Sequence, residues 1–324
     1  MAAAALATQS VNKARFDLAE VLLFDPVPPN RSTTRTALNM IGFKQIFATS
    51  DFGEMQTNLR GRHFDVFVAD ITQDTAKLCD LVLAMRNGRT GANPFLHVVL
   101  MAWKLDDDLV KRALNCGADD LITRPYSVGF LTGRVKSLTE ARKNFVVTID
   151  YIGPDRRRDP ARGGSNIQMF DVPNTLKLRT QPDVQLVRVE GEIPNAIRDA
   201  RAKINAERAK RNAFQLSVLC HFVQEALAAA QPLERDLDRL EATMKDLLQR
   251  LETSINEAAL KLCGQLDLSI VNAKGGENVA EHVNKIQELA VSLYEALHPG
   301  KTAADLKAEL DKVVTLIKSR GRRD

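Results

Sequence analysis

Three polar residues stand where short apolar runs stop. Asp25 follows Val21-Leu22-Leu23-Phe24, Asp70 follows Val66-Phe67-Val68-Ala69, and Arg124-Pro125 closes Leu121-Ile122. If those runs are strands of one parallel sheet, all three side chains lie at its carboxyl edge, where such sheets collect their functional groups. A second chemical feature is the run YIGPDRRRDPAR. Its Arg156, Arg157, Arg158 and Arg162 are candidates for binding phosphates or carboxylates, which guanidinium groups grip through paired hydrogen bonds. His221 and His282 lie on expected helices and raise a phosphotransfer reading, but neither has small-residue and Lys surroundings, and His221 within LCHFVQEAL reads as a packed histidine. Cys79, Cys116, Cys220 and Cys263 are scattered, with no close pair to make a metal knuckle or redox motif, and are expected to be reduced thiols. No nucleophile elbow, Walker loop, dinucleotide fingerprint or zinc spacing occurs, so no enzymatic centre is expected.

The elements that would position these groups alternate along the first half. Apolar runs at 21–24, 46–48, 66–69, 97–100 and 121–122 are separated by helical stretches at about 31–40, 52–59, 75–85, 106–114 and 128–143. Strict alternation with short connections implies a doubly wound parallel five-stranded sheet with helices on both faces. Residues 146–192 change character, crowding Pro, Gly, Asp and Arg before extended pieces such as Val184-Gln185-Leu186-Val187, and read as a linker. From about 193 the chain reads as helix. Leu233, Leu237, Leu240, Met244, Leu247 and Leu251 form a seam of alternating four- and three-residue spacing, continued by Ala258 and Leu262. Val279, Val283, Ile286, Ala290, Leu293 and Leu297 form a second seam, and Leu306, Leu310, Val313 and Ile317 a third. Such narrow stripes must bury against one another or against a second copy, and a homodimer through the first is expected. The expected organisation is an extension over 1–18, an α/β domain over 19–145, the linker, and an all-α bundle or coiled coil over 193–324.

The 324 residues fit two domains, and an aromatic share of 5% favours Leu- and Ala-packed helices over an all-β sandwich. The net charge of +4 is too mild to mark a nucleic-acid protein. It resolves into +2 over 1–150, +5 over 151–212 and −3 over 213–324, so the expected linker is the basic part. The basic stretch ARAKINAERAKRNAF at 200–214 lacks the turn and second helix of a helix-turn-helix. The amino-terminal alanine run precedes its positive charges, the reverse of a secretory signal, and no apolar run reaches the ~18 to 20 residues that span a bilayer. A soluble cytoplasmic protein is expected.

The segments FDPVPPNRSTTRTALNMIGF, FDVFVAD, HVVLMAW and ALNCGADDLITRPYS, in that order over about 20–143, resemble the receiver domain of bacterial response regulators. The resemblance implies a flavodoxin-like fold, a sensor kinase as possible partner, Asp70 as phospho-acceptor and an Mg²⁺ site at Asp25 and Asp70. At the same places it puts Pro26 for the second acid of the metal-binding pair, Ala102 for the hydroxyl residue that senses the phosphoryl group, Arg124 for the lysine, and Leu121 for the aromatic switch. The loop ITQDTAK lacks the usual Pro and Gly. Transfer to Asp70 needs Mg²⁺ and a cation to hold the transferred group, so two of its parts are altered. The preferred reading is a pseudo-receiver with Asp25 and Asp70 paired to Arg124, requiring no cofactor and acting as a signalling adaptor through its face at about 102–126 and its terminal helices. A phosphorylation-competent regulator and a nucleic-acid binder using the basic linker are the alternatives.

Overall fold

The computed structural model describes residues 14–157, 168–183, 185–251, 256–276 and 278–320. These divide into two compact units that meet in sequence between Arg201 and Ala202.

In the first unit, β1 (Glu20–Phe24), α1 (Pro28–Ile41), β2 (Gln45–Thr49), α2 (Phe52–Gly61), β3 (Val66–Asp70), α3 (Thr75–Arg86), β4 (His97–Ala102), α4 (Asp107–Asn115), β5 (Asp120–Thr123) and α5 (Val128–Glu140) alternate as expected. The five strands form one parallel sheet in the order β2-β1-β3-β4-β5, the flavodoxin-like doubly wound arrangement. The central strands β3 and β4 are buried along their whole length, which is why they read as continuous apolar runs. α1 starts earlier than expected because Pro28 and Pro29 occupy its first turn, where a missing N–H costs nothing. Asp51, Asp106 and Ser127 cap α2, α4 and α5 by accepting hydrogen bonds from the backbone N–H three residues on. One core packs Leu22, Phe67, Val98 and Leu100 against α2, α3 and α4; the other packs Val21, Leu23, Val68 and Met101 against α1 and α5.

The described residues of the expected linker carry regular elements. β6 (Phe145–Val147), β7 (Ile152–Pro154) and β8 (Met169–Phe170) make a small antiparallel sheet in the order β7-β6-β8, and α6 (Thr175–Thr180) follows. Leu186 and Val187, expected to be extended, open the 43-residue helix α7 (Leu186–Ala228); Val184 lies outside the described residues. Glycine makes the hairpin's approach possible. Gly117, at φ +93°, would carry its Cβ 3.0 Å from the Ile152 carbonyl, and a Cβ on Gly153 would lie 2.6 Å from the Tyr151 hydroxyl and 3.1 Å from Gly117 Cα. Part of the expected extension over 1–18 is also integral. Phe16 is buried and packs against Phe43 with ring centroids 5.0 Å apart, and Arg15 N–H donates to the Thr180 carbonyl.

The second unit is a helical bundle of the later part of α7 with α8 (Glu234–Leu251), α9 (Glu257–Gly275), α10 (Val279–Leu297) and α11 (Ala303–Arg320). Leu237, Leu240, Met244, Leu247 and Leu251, expected as a homodimer seam, are buried in this unit's own core with Leu233 partly buried against it. The seam closes intramolecularly because α7, α9 and α10 supply matching stripes: Ala213, Leu216 and Leu219; Cys263, Leu266 and Ile270; and Ile286, Ala290 and Leu293. Of the two residues expected to continue the stripe, Leu262 packs partly buried against this core while Ala258 is exposed. Asn256 caps α9, whose buried positions include Ala259 and Cys263. No helix among the described residues is long and apolar enough to cross a membrane.

Candidate functional site

The ends of β1 and β3 and the turn after β5 bring Asp25, Asp70 and Arg124 together beneath the surface. Arg124 Nη1 donates to Asp70 Oδ2 and Nη2 to Asp25 Oδ2, each at 2.7 Å, and all three side chains are at most 5% exposed. The Arg124-Pro125 peptide is cis. Each carboxylate's other oxygen is also engaged, Asp25 Oδ1 by Val27 N–H at 2.9 Å and Asp70 Oδ1 by Thr72 N–H at 3.0 Å. Arg124 Nη2 further approaches Thr34 Oγ1 at 3.1 Å and Met101 Sδ at 3.5 Å, and Thr34 Oγ1 lies 2.8 Å from the Tyr126 hydroxyl. Arg31 donates to the Asp25 carbonyl at 2.6 Å.

This arrangement neutralises two carboxylates with one planar cation, a fork geometry that lysine does not offer. It does not fit a divalent ion. The guanidinium occupies the space between the carboxylates, Pro26 supplies no oxygen ligand from its side chain, and no cluster of three or more metal-ligating side chains occurs among the described residues. Asp25 and Asp70, expected to hold Mg²⁺, here both face the Arg124 guanidinium. Ala102 is buried and offers no hydroxyl, while the adjacent Trp103 is 50% exposed and Leu105 37%. Trp103 lines a groove of about 370 Å³ between the loops after β3 and β4, together with Thr72, Thr75, Lys104, Asp106 and Arg112. Leu121 is partly buried in the core; the aromatic residue that reaches the cluster is Tyr126.

A second polar cluster, at the opposite end of the sheet, was not legible in the sequence. Arg86, 2% exposed, donates from Nε to the Gly117 carbonyl at 2.9 Å, from Nη1 to the Pro94 and Leu96 carbonyls at 2.6 and 2.9 Å, and from Nη2 to Asp119 Oδ2 at 2.7 Å. Burial alone would raise Asp119; Arg86, with His97 and Arg142, outweighs it and holds the carboxyl well below its usual range. Arg86 and Arg142 both lie over the Phe145 ring, at 5.1 and 5.3 Å from its centroid. Asn174 fixes the His97 tautomer. Its Oδ1 accepts from Lys177 N–H and its Nδ2 donates to the Leu138 and Thr139 carbonyls, so His97 Nε2, 3.0 Å from Oδ1, is the donor there. Burial, then Arg142, lowers the His97 pKa. Asp65 receives Glu20 N–H at 2.9 Å and faces Arg179 of α6 at 3.2 Å, yet burial pushes its carboxyl up to about 6.

The arginine cluster is partly accounted for. Arg157 is clasped to the Asp155 carboxylate at 3.0 Å and to Met169 Sδ at 3.2 Å, Arg156 is partly buried, and Arg158 and Arg162 lie outside the described residues. In the basic stretch of α7, Arg208 pairs with Asp246 at 3.2 Å and Arg211 with Glu207 at 2.9 Å. His221 is one-third exposed beside Glu225, and His282 is partly buried.

No family model matches the chain, and no curated relative matches it. Solved receiver structures are similar to its amino-terminal part. A response regulator from Thermotoga maritima is 23% identical, over 37% of this chain and 97% of the other, with a TM-score of 0.33. A signal receiver domain of a two-component histidine kinase from Clostridium thermocellum is 21% identical over 37% and 95%, TM-score 0.33, and a receiver domain protein from Methanospirillum hungatei is 19% identical over 37% and 92%, TM-score 0.33.

Proposed function

We propose that this chain is a two-component-type signalling protein whose receiver-like unit works as a protein-docking platform without phosphorylation of Asp70. The observation that carries the reading is the Arg124 guanidinium seated between Asp25 and Asp70 at 2.7 Å from each. To accept a phosphoryl group, Asp70 would have to give up this partner and Mg²⁺ would have to displace a buried cation that already neutralises the site. The exposed Trp103 in the groove, with the exposed Leu105 two residues on in sequence, supports a docking role for the face from about 102 to 126, since large apolar side chains at a polar-rimmed groove mark interaction surfaces. The pairing of Arg157, Arg208 and Arg211 with carboxylates weighs against the nucleic-acid reading.

The test is incubation of the full chain with acetyl phosphate and Mg²⁺ followed by intact-mass measurement. The platform reading expects no phosphoryl adduct. A stable gain of about 80 daltons that disappears in Asp70→Asn would replace it with the phosphorylation-competent reading.

A further inference from the structure

One end of the helical unit is hollow. A cavity of about 300 Å³ lies where α7 passes the end of α8, the start of α9 and the end of α10. Small side chains on two of these helices account for it. Ala202, Ala206 and Ala209 line it from the stripe of α7 that runs on, at spacings of four and three, through Ala213, Leu216 and Val223 into the packed core, and Ala296 lines it from α10. Methyl groups there leave open the volume that larger side chains fill farther along the bundle. Buried Ala209, Leu251 and Leu297 give the cavity an apolar lining, while Ala202 and Ala206 are exposed at its mouth.

The polar side chains of the same lining have donors, not acceptors, left to offer. Arg250, 3% exposed, is held in place by Nη1 donating to Asn205 Oδ1 and Nη2 to Asp246 Oδ1, each at 3.2 Å. Asn205 thus has its carbonyl oxygen engaged, and Asn256 has its own engaged by Ala259 N–H at 3.0 Å, so each amide turns to a guest with its N–H groups. Lys210, partly buried, adds an ammonium, and no acidic residue lines the cavity among the described residues. We propose that this cavity binds a small organic carboxylate, with its apolar body among the alanines and leucines and its oxygens toward Asn205, Lys210, Arg250 and Asn256. A carboxylate only accepts hydrogen bonds and so matches a lining of donors, whereas an amine would meet like charge. The volume lies at the lower end of the roughly 300–1,000 Å³ of small-molecule sites, which suits a guest the size of benzoate or hexanoate, and such sites commonly form between the helices of a bundle. The inference rests on the helical unit alone and is independent of the docking reading and of any chemistry at Asp70.

The experiment titrates the full chain with benzoate and hexanoate, with benzyl alcohol, benzylamine and inorganic phosphate as comparisons at matched ionic strength, and follows amide resonances in ¹H–¹⁵N correlation spectra. The expected result is saturable shifts at Asn205, Ala206, Asn256 and Ala296 with both carboxylates, benzoate binding about tenfold more tightly than benzyl alcohol, and no shift there with benzylamine or phosphate. Ala206→Leu or Ala296→Leu, which fill the space, abolish binding, and Lys210→Met weakens benzoate while leaving benzyl alcohol unchanged. No saturable shift with either carboxylate, equal affinity for benzoate and benzyl alcohol, the same shifts with phosphate, or a benzoate affinity indifferent to Lys210→Met would overturn the proposal. The spectra of the unsubstituted protein decide it even where a leucine variant folds poorly.

Discussion

Arg124 holds Asp70 with one nitrogen of its guanidinium at 2.7 Å while the other nitrogen holds Asp25 at the same distance. Three charges therefore share a site from which water is nearly excluded, and removing only the cation would leave two buried carboxylates with no counter-charge. Arg124→Ala is expected to cost about 3–5 kcal/mol of stability, read from urea unfolding at pH 7. Neutralising all three groups together as Asp25→Asn, Asp70→Asn and Arg124→Met should cost clearly less. Equal losses in the single and triple variants would mean that the trio does not act as a unit.

Asp65 sets a pH dependence of unusual sign. Its carboxyl is pushed up to about 6 by burial, above the ordinary 3.8, so between those values the folded protein binds a proton that the unfolded chain does not. Its contribution therefore improves as pH falls from about 7 to 4 and is lost as pH rises through 6, amounting to about 3 kcal/mol at most. Carboxylates held low, Asp119 foremost, act in the opposite direction at more acid pH. The measurement is the difference in pH slope between the unsubstituted protein and Asp65→Asn. A slope unchanged between pH 7 and 5 would refute the assignment.

Gly153 is expected to tolerate no side chain. Its Cβ would meet the Tyr151 hydroxyl at 2.6 Å and the Gly117 backbone at 3.1 Å, and the latter cannot rotate away. Gly153→Ala should destabilise the first unit by about 1–3 kcal/mol in thermal or urea unfolding and leave the helical unit unaffected. Stability within error of the parent would show that the hairpin can lift away at no cost.

In the helical unit, Leu247 is fully buried among four helices. Leu247→Ala should cost about 2–5 kcal/mol. Because the α8 stripe is used up internally, light scattering on residues 202–324 should give a monomer. A dimer that dissociates in Leu247→Ala would restore the dimer seam that the bundle replaces.

The parallel sheet was legible because buried strands in such sheets are continuous apolar runs, and Val66–Ala69 and His97–Leu100 are of that kind. The trio of Asp25, Asp70 and Arg124 was legible because all three end or follow such runs. Thr34 and Tyr126 were not, since they join the trio across 90 or more residues without any local pattern. The strands β6 and β7 were hidden by the Pro, Gly and Arg around them, although Val146-Val147-Thr148 and Tyr151-Ile152 carry β-branched and aromatic residues that favour strands. The start of α9 has a signal too: Asn256 is a cap-forming type in the middle of the leucine repeat.

The hairpin after α5 has a practical consequence for dividing the chain. Phe145 lies beneath Arg86 and Arg142, Asn174 orients His97, and Arg179 answers Asp65. A fragment trimmed at residue 140, where α5 ends, would strip these groups of their cover and leave charged side chains facing an apolar interior. The smallest transplantable form of the first unit therefore extends at least through Thr180, and a chimera joined any earlier should be recovered as insoluble material.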